Sequence, residues 1–518
     1  MKKFRPGFFT FFIIGNLFFL LANTPLFLAL QKTPQNTFYP LIHQGHMDYY
    51  LYLSAIRESL EGSWTMKSLF SGEHAPESFF YIYFIVLGKL GSLFRLNQIV
   101  SYHLGRIISI EFMLVSIYLL CQEVLGRRWA FYGAFLSLFS TVLPLMYFGK
   151  STAFPGWWSG LDALGRMDYL PHHAFGIAAF FTTVYFIFRK KIISATIFAF
   201  FATLVFPPIG LVFFFSLPFT VFITFRQKIF QGYRFILISF SSMVALFLMK
   251  WQTNLGFPWS QWKYWEMGLW NDLPNVNLYI ILGGGVLLFF SLPAVFYIFL
   301  KKQNFTYVFL AVWAILPYLL LPFTDLIGVS RIRMAYLGNF LPLAILSTLT
   351  VKTLSKRYFY RYGHLTAILF LFLFSLFSFP VSYYFFLNRN SYIPLGYINI
   401  FIPKEMMNSI AFLGKTAKPY SLVLSLDYSG NIFPAFIKVK SYFAHVAQTK
   451  DYGKKMPLVQ KFYKGEMTGS EAEEFIRKNG IEYIYLGPIE KSFGNIEKYN
   501  LLIKPVYNEG GIVIYKVI

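Results

Sequence analysis

The chain has 518 residues, of which 56% are hydrophobic, 21% aromatic and only 13% charged, with a mean hydropathy of +0.52. A soluble protein is about 45–50% apolar and about 25% charged, so the composition excludes a soluble globular chain and marks an integral membrane protein. The net charge of +23 comes from short basic clusters between apolar runs, which is how a polytopic protein sets its orientation and meets anionic membrane lipids; it is not a nucleic-acid footprint.

Long apolar runs, rather than short alternating ones, specify helices and not a barrel. The N-terminus has a basic start and an apolar stretch too long for a signal peptide, with no small-x-small cleavage site. It is expected to be an uncleaved first span at about 8–30, running outward from cytoplasmic Lys2, Lys3 and Arg5. The loop 31–78 then lies outside. Residues 79–96 are apolar but short and interrupted by Lys89, and are expected to form a juxtamembrane interfacial helix, extending the outer stretch to about 100.

The reason lies in the charges downstream. If 101–122 runs inward, Arg127 and Arg128 fall in the cytoplasm, 129–148 runs outward, and loop 149–172 lies outside. Arg189, Lys190 and Lys191 are then inside, as are Arg226, Lys228 and Arg234, then Lys301 and Lys302, and finally the cluster from Lys352 to Arg361. The turn at Pro207 and Pro208 and the loops 251–276 and 324–334 fall outside. A full span at 79–96 would invert every later loop and put most basic residues outside, against the positive-inside rule. The expectation is about eleven spans in a cell (plasma) membrane, with a cytoplasmic N-terminus and a last span at about 365–387.

From about 390 the composition changes, which predicts a transmembrane domain over 1–389 and a small extracytoplasmic α/β domain over 390–518. A helix is expected over 403–413, strands over 421–426 and 441–446, and a capping box from Ser470 and Glu473 opening a helix stopped by Gly480. IEYIYLG reads as a strand, and 501–506 with 511–517 as a hairpin around Asn508, Glu509, Gly510 and Gly511. Cys121, the only cysteine, lies in an apolar run and supports no disulfide framework.

The outer loops gather unusual residues. In HQGHMDYYLYLSAIRESLEGSW, Asp48 is flanked by His46, Tyr49 and Tyr50. Leu51, Leu53, Ile56 and Leu60 are spaced for an amphipathic helix with Arg57, Glu58 and Glu61 on the other side. Loop one also holds His43, Glu73, His74 and Glu77. Loop two carries Trp157, Trp158, Asp162, Arg166, Asp168, His172 and His173, and loop 324–334 carries Asp325, Arg331 and Arg333. Charges at a membrane boundary are costly unless they face water or one another, so three such loops on one face point to a shared polar cavity.

An aspartate in the first external loop, just before an amphipathic helix (MDYYLYLSAIRE), resembles the C-type (GT-C) membrane glycosyltransferases. That superfamily includes protein O-mannosyltransferases, aminoarabinose transferases and oligosaccharyltransferases. The juxtamembrane helix, a second acidic motif in the second external loop and an external C-terminal domain match as well. The likeness is architectural over about 1–390 and confined to short motifs in sequence. His46 and Met47 precede Asp48 where many members carry a second adjacent acid, which puts metal dependence in question.

The resemblance implies a hexosyl- or pentosyltransferase of the cell envelope. It would move a sugar from a polyprenyl-phosphate-linked donor to a glycan, lipid or protein acceptor on the extracytoplasmic face, with inversion. Asp48 would be the general base and Asp168 the second acidic group. Arg331 or Arg333 would hold the leaving phosphate, with Trp157 and Trp158 stacking on a sugar. His46, Tyr49, Arg166, His172 and His173 would complete the substrate site. A divalent metal, if used, would sit on Asp48, Asp168 and His172.

Each of these residues also fits a plainer part. Asp48 fits a helix cap or dipole partner, and Asp168 a partner for Arg166. The histidine pair fits an ordinary loop, the arginines a head-group anchor, and the tryptophans an aromatic belt. His445 fits a place over the cavity, with the core or the surface as the plainer and preferred part. A transporter or flippase of a lipid-linked saccharide is the rival function, for which the Gly283-Gly284-Gly285 run is the best feature. No internal repeat accompanies it.

Overall fold

The computed structural model describes residues 6–43, 45–143, 162–225, 232–262, 276–301, 304–358, 363–391 and 400–518. The chain forms two compact units. One comprises Met1–Thr24, Gly105–Lys250 and Glu266–Tyr392; the other comprises Pro25–Leu104, Trp251–Trp265 and Ile393–Ile518. Residues from Ile393 onward therefore share a compact unit with Pro25–Leu104 and Trp251–Trp265.

The first unit is helical around one large apolar core in which Phe11, Phe180, Trp313 and Leu346 are fully buried. Helix Pro171–Phe188 packs on Ile192–Val205, and Gly285–Leu300 on Phe340–Tyr358. Among the described residues of the chain, five helices are long and apolar enough to cross a membrane: Gln98–Leu125, Pro207–Phe225, Tyr233–Thr253, Phe305–Ile327 and Leu365–Leu387. The bent pair Pro6–Ala22 and Thr24–Gln31, at 45°, makes a sixth if taken as one span. Other expected spans are shorter helices, such as Ala130–Phe139 and Ile192–Val205, below the roughly 20 residues of a full crossing.

The glycine run lies at a helix break, between Val276–Leu282 and Gly285–Leu300. Gly285 has φ 62°, and a Cβ there would run into the Thr141 carbonyl. Leu143 N–H donates to the Leu282 carbonyl across the break at 3.4 Å. The break is thus answered by backbone from 141–143, which takes up a carbonyl that a helix end would leave unpaired.

In the second unit, the loop-one strand β1 (Thr37–Phe38) pairs antiparallel with β2 (Ile402–Pro403). A five-stranded sheet is built from β3 (Leu422–Leu424), β4 (Lys440–Ser441), β5 (Tyr483–Leu486), β6 (Ile503–Glu509) and β7 (Ile512–Val517), in the order β4-β3-β5-β7-β6. β3 is parallel to β4 and β5, while β5–β7 and the β6–β7 hairpin are antiparallel. Helices Asp427–Phe436, Tyr452–Tyr463 and Gly469–Asn479 fill the parallel crossovers, the connection parallel strands require.

Two local expectations shift. The capping box is Thr468 with Glu471, two residues earlier than Ser470 and Glu473, and the helix still ends at Gly480. The expected strand 441–446 is the two-residue β4; beyond it the chain turns, with Gln448 N–H and Thr449 N–H both donating to the His445 carbonyl at 3.0 and 2.8 Å.

The Asp48 helix spans His46–Leu60, and Asp427–Phe436 packs against it. Arg57 and Glu58, expected on an open polar side, are buried. Arg57 Nε donates to the Pro434 carbonyl at 3.0 Å, and Glu58 Oε2 accepts from Lys67 N–H at 2.8 Å. The segment expected at the interface contains the helix Ile82–Leu93, twelve residues long and so about 18 Å, against a bilayer core of about 30 Å. It packs on the Asp48 helix.

Candidate functional site

Asp48 stands at the third position of its helix, after N-cap Gly45, where the helix dipole favours a negative charge. It does not cap the helix: no side-chain cap bond is made there. Its side chain is 43% exposed, and Oδ1 lies 3.1 Å from Nε2 of His445, which is only 2% exposed. The Nδ1 of that ring accepts from Ala447 N–H at 3.1 Å. The neutral ring therefore carries its proton on Nε2 and donates it toward Asp48. Asn431 Nδ2 donates to the Met47 carbonyl at 3.3 Å, so the C-terminal segment holds the start of the helix at two points.

His46 is half-buried beside Asp48. Burial lowers its pKa against the opposing charges of Asp48 and Asp427, so the imidazole is neutral near pH 7. Tyr81 is fully enclosed; burial raises its phenol well above its ordinary value, and the Asp48 charge adds to this. Tyr81 sits within 6.0 Å of Trp259 and 6.3 Å of Trp262, ring to ring, which gives the Asp48 surroundings an aromatic wall.

Tyr49, expected to meet substrate, is fully buried instead. Its hydroxyl donates to the Pro40 carbonyl at 2.6 Å and its ring packs edge-on against Tyr102 at 4.8 Å. As the next helical residue it is turned about 100° round the helix from the Asp48 carboxylate. It anchors the loop.

The remaining expected residues belong to the first unit. Asp168 pairs with Arg106, not Arg166: Arg106 Nη1 donates to Asp168 Oδ1 at 2.8 Å and also to Asn23 Oδ1, with both charged groups buried. Arg166 is a carbonyl clamp. Its Nη2 donates to the carbonyls of Ser140 and, at 3.2 Å, Leu138, and its guanidinium lies 4.4 Å over the Phe340 ring.

His173 is buried against Phe206 and Tyr169, with His172 at 4.3 Å, and Arg333 is within electrostatic reach of it. Arg331 makes an exposed ion pair with Asp325 at 3.2 Å. Trp157 and Trp158 lie outside the described residues. Among the described residues, no group of three or more His, Cys, Asp or Glu side chains is gathered to hold a metal ion.

Sequence reasoning singled out Asp48 and Asp168 but did not pair them with His445 and Arg106. His445 lies 397 residues from Asp48, and nothing in its neighbourhood, YFAHVAQ, marks it. Arg106 was hidden because a lone basic residue inside an apolar helix gives no loop signal.

No family model and no curated protein matches the chain. Solved structures do. An oligosaccharyltransferase of Archaeoglobus fulgidus is similar at a TM-score of 0.53 and 14% identity, over 99% of this chain and 74% of that one. The A. fulgidus oligosaccharyltransferase AglB, in complex with an inhibitory peptide and a dolichol-phosphate, gives 0.54 and 13% over 99% and 74%. ArnT from Cupriavidus metallidurans, bound to undecaprenyl phosphate, gives 0.50 and 12% over 96% of this chain and 97% of that one.

Proposed function

We propose, for a chain with the fold of the C-type membrane glycosyltransferases, that it transfers a sugar from a polyprenyl-phosphate-linked donor to an acceptor on the extracytoplasmic face, with Asp48 as general base. The observation that carries this reading is the Asp48 carboxylate itself. It is 43% exposed at the head of its helix, with one oxygen taken by a neutral imidazole.

In the proposed reaction the acceptor hydroxyl gives its proton to Asp48 as its oxygen bonds to the anomeric carbon. The bond from that carbon to the lipid phosphate breaks, and the electron pair leaves with the phosphate. Attack opposite the leaving group inverts the anomeric centre. Arg331 and Arg333 are assigned to the leaving phosphate, with His172 and His173 beside them. Asp168 is assigned to support of its own region, because its charge is matched by Arg106. Lipid carriers in the AglB and ArnT structures support a polyprenyl-phosphate donor here. A divalent ion on Asp48 would have to leave His445 out, since an Nε2 that carries a proton has no lone pair to offer.

Asp48→Asn tests the reading, because it keeps the shape and removes the base. A positioned general base contributes about 10²- to 10⁴-fold. Transfer of radiolabelled hexose from undecaprenyl phosphate should fall by that factor in a variant made at the wild-type yield. Near-normal turnover removes Asp48 from the role. Labelled lipid moved between leaflets, with no sugar transferred, would instead establish a flippase.

A further inference from the structure

The Asp48 carboxylate is held by a residue from the far end of the chain, and the way that residue is itself held is specific. His445 sits at the head of a tight turn, with its carbonyl accepting from Gln448 and Thr449 N–H at 3.0 and 2.8 Å. The Thr449 hydroxyl takes the Ala444 N–H at 3.0 Å and donates to the Phe70 carbonyl at 2.8 Å. The turn is thereby tied to the loop that carries Asp48. The His445 ring packs edge-on to Phe70 at 6.1 Å and is almost wholly enclosed, with one nitrogen committed to Ala447 and the other to Asp48.

A buried imidazole fixed at both nitrogens has one tautomer and one ring orientation. A side chain at Gly45 would stand 3.7 Å from Asp48 Oδ2, and glycine leaves that side open. The two Asp48 oxygens are therefore not equivalent: one is tethered to His445, and the other lies beside the space that Gly45 leaves free.

We infer that His445 is a positioning residue, whose Nε2–H fixes the Asp48 carboxylate rotamer so that Oδ2 is presented to the acceptor hydroxyl. This rests on the reading of Asp48 as the base. The C-terminal segment then completes the site in addition to folding beside it. A base held within about half an ångström of its productive position keeps its rate advantage, and loss of such a supporting partner typically lowers activity ~10- to 100-fold.

The test compares two amides. In His445→Gln the side-chain amide reaches the Nε2 position and can donate to Asp48, but gives up the Ala447 bond. In His445→Asn it occupies the Nδ1 position, keeps an acceptor for Ala447 and stops short of Asp48. Turnover is followed with undecaprenyl phosphate carrying radiolabelled glucose, galactose or mannose, using the hexose that the wild-type protein transfers.

The expected result is that Asn lowers kcat ~10- to 100-fold with the donor KM within about twofold, while Gln stays within about threefold of wild type. A structural role for His445 predicts the reverse order, because Asn preserves the turn; that order, or equal losses, overturns the inference. Asp48→Asn run alongside keeps the two ideas apart. Normal turnover there removes the base assignment itself, whereas a dead Asp48→Asn with a fully active His445→Asn removes only His445.

Discussion

The two aspartates that stand out in the polar loops, Asp48 and Asp168, have different environments. Asp48 keeps an exposed carboxylate with a neutral donor beside it, while Asp168 is buried against a guanidinium. A neutral donor orients a carboxylate without cancelling its charge; a buried cation cancels it. Under the proposed function, that contrast assigns proton transfer to Asp48 and local charge balance to Asp168.

Breaking a buried pair by removing one partner leaves an uncompensated charge, at about 3–5 kcal/mol. Arg106→Met should therefore lower thermal stability in detergent by that order, while Arg106→Met with Asp168→Asn should recover at least half of the loss. Losses that simply add in the double variant would show that the pair is not coupled. Asp168 could be picked out of the sequence as unusual. Its partner could not, because Arg106 lies on a long helix far from any loop and Arg166 stood closer in the chain.

At the level of elements, the site depends on how the Asp48 helix is seated. Helix Ile82–Leu93 approaches it through Gly88, where a Cβ would stand 2.6 Å from the Ile56 carbonyl, and Ser59 Oγ donates to the Ile85 carbonyl at 2.6 Å. Backbone on one side of that contact cannot yield as a flexible side chain can. Gly88→Ala should push the helices apart and lower stability by ~1–3 kcal/mol. Because the Asp48 helix moves with the contact, sugar transfer should fall as well. Unchanged stability and turnover would mean that the crossing has slack.

The Asp48 helix was legible from the spacing of Leu53, Ile56 and Leu60, which periodicity registers. The burial of Arg57 and Glu58 was not, because it is imposed by a helix whose Pro434 carbonyl lies 377 residues downstream. The glycine run stood out in the sequence only as the best feature for a transporter. It could not say that backbone at 141–143 fills the gap, where a transporter would place a ligand.

For the whole molecule, the second unit carries buried acids, Glu58 and Glu490, whose titration opposes that of His46. Glu490 is fully enclosed, with its oxygens accepting from Leu426 and Gly487 N–H at 3.0 and 3.2 Å, and burial pushes its carboxyl up to about 7. A carboxyl whose folded pKa lies above its unfolded value near 4.5 stabilises the fold below pH 4.5 and loses that contribution as pH rises through about 7. The loss is on the order of 3 kcal/mol across that window, at about 1.4 kcal/mol per pKa unit.

Glu58, also pushed up to about 7 by burial, acts in the same direction. His46, lowered by burial, acts in the opposite one and gains stability as pH rises toward 6.5. A single melting profile therefore mixes signs, and the informative quantity is a difference. The stability of the wild-type protein minus that of Glu490→Gln, from thermal midpoints in detergent between pH 4.5 and 8, should decline by that order up to about pH 7 and then level off. His46 and Glu58 are common to both proteins and drop out. A difference that stays flat with pH would mean that Glu490 is already ionised throughout, held by its backbone donors strongly enough to outweigh its burial.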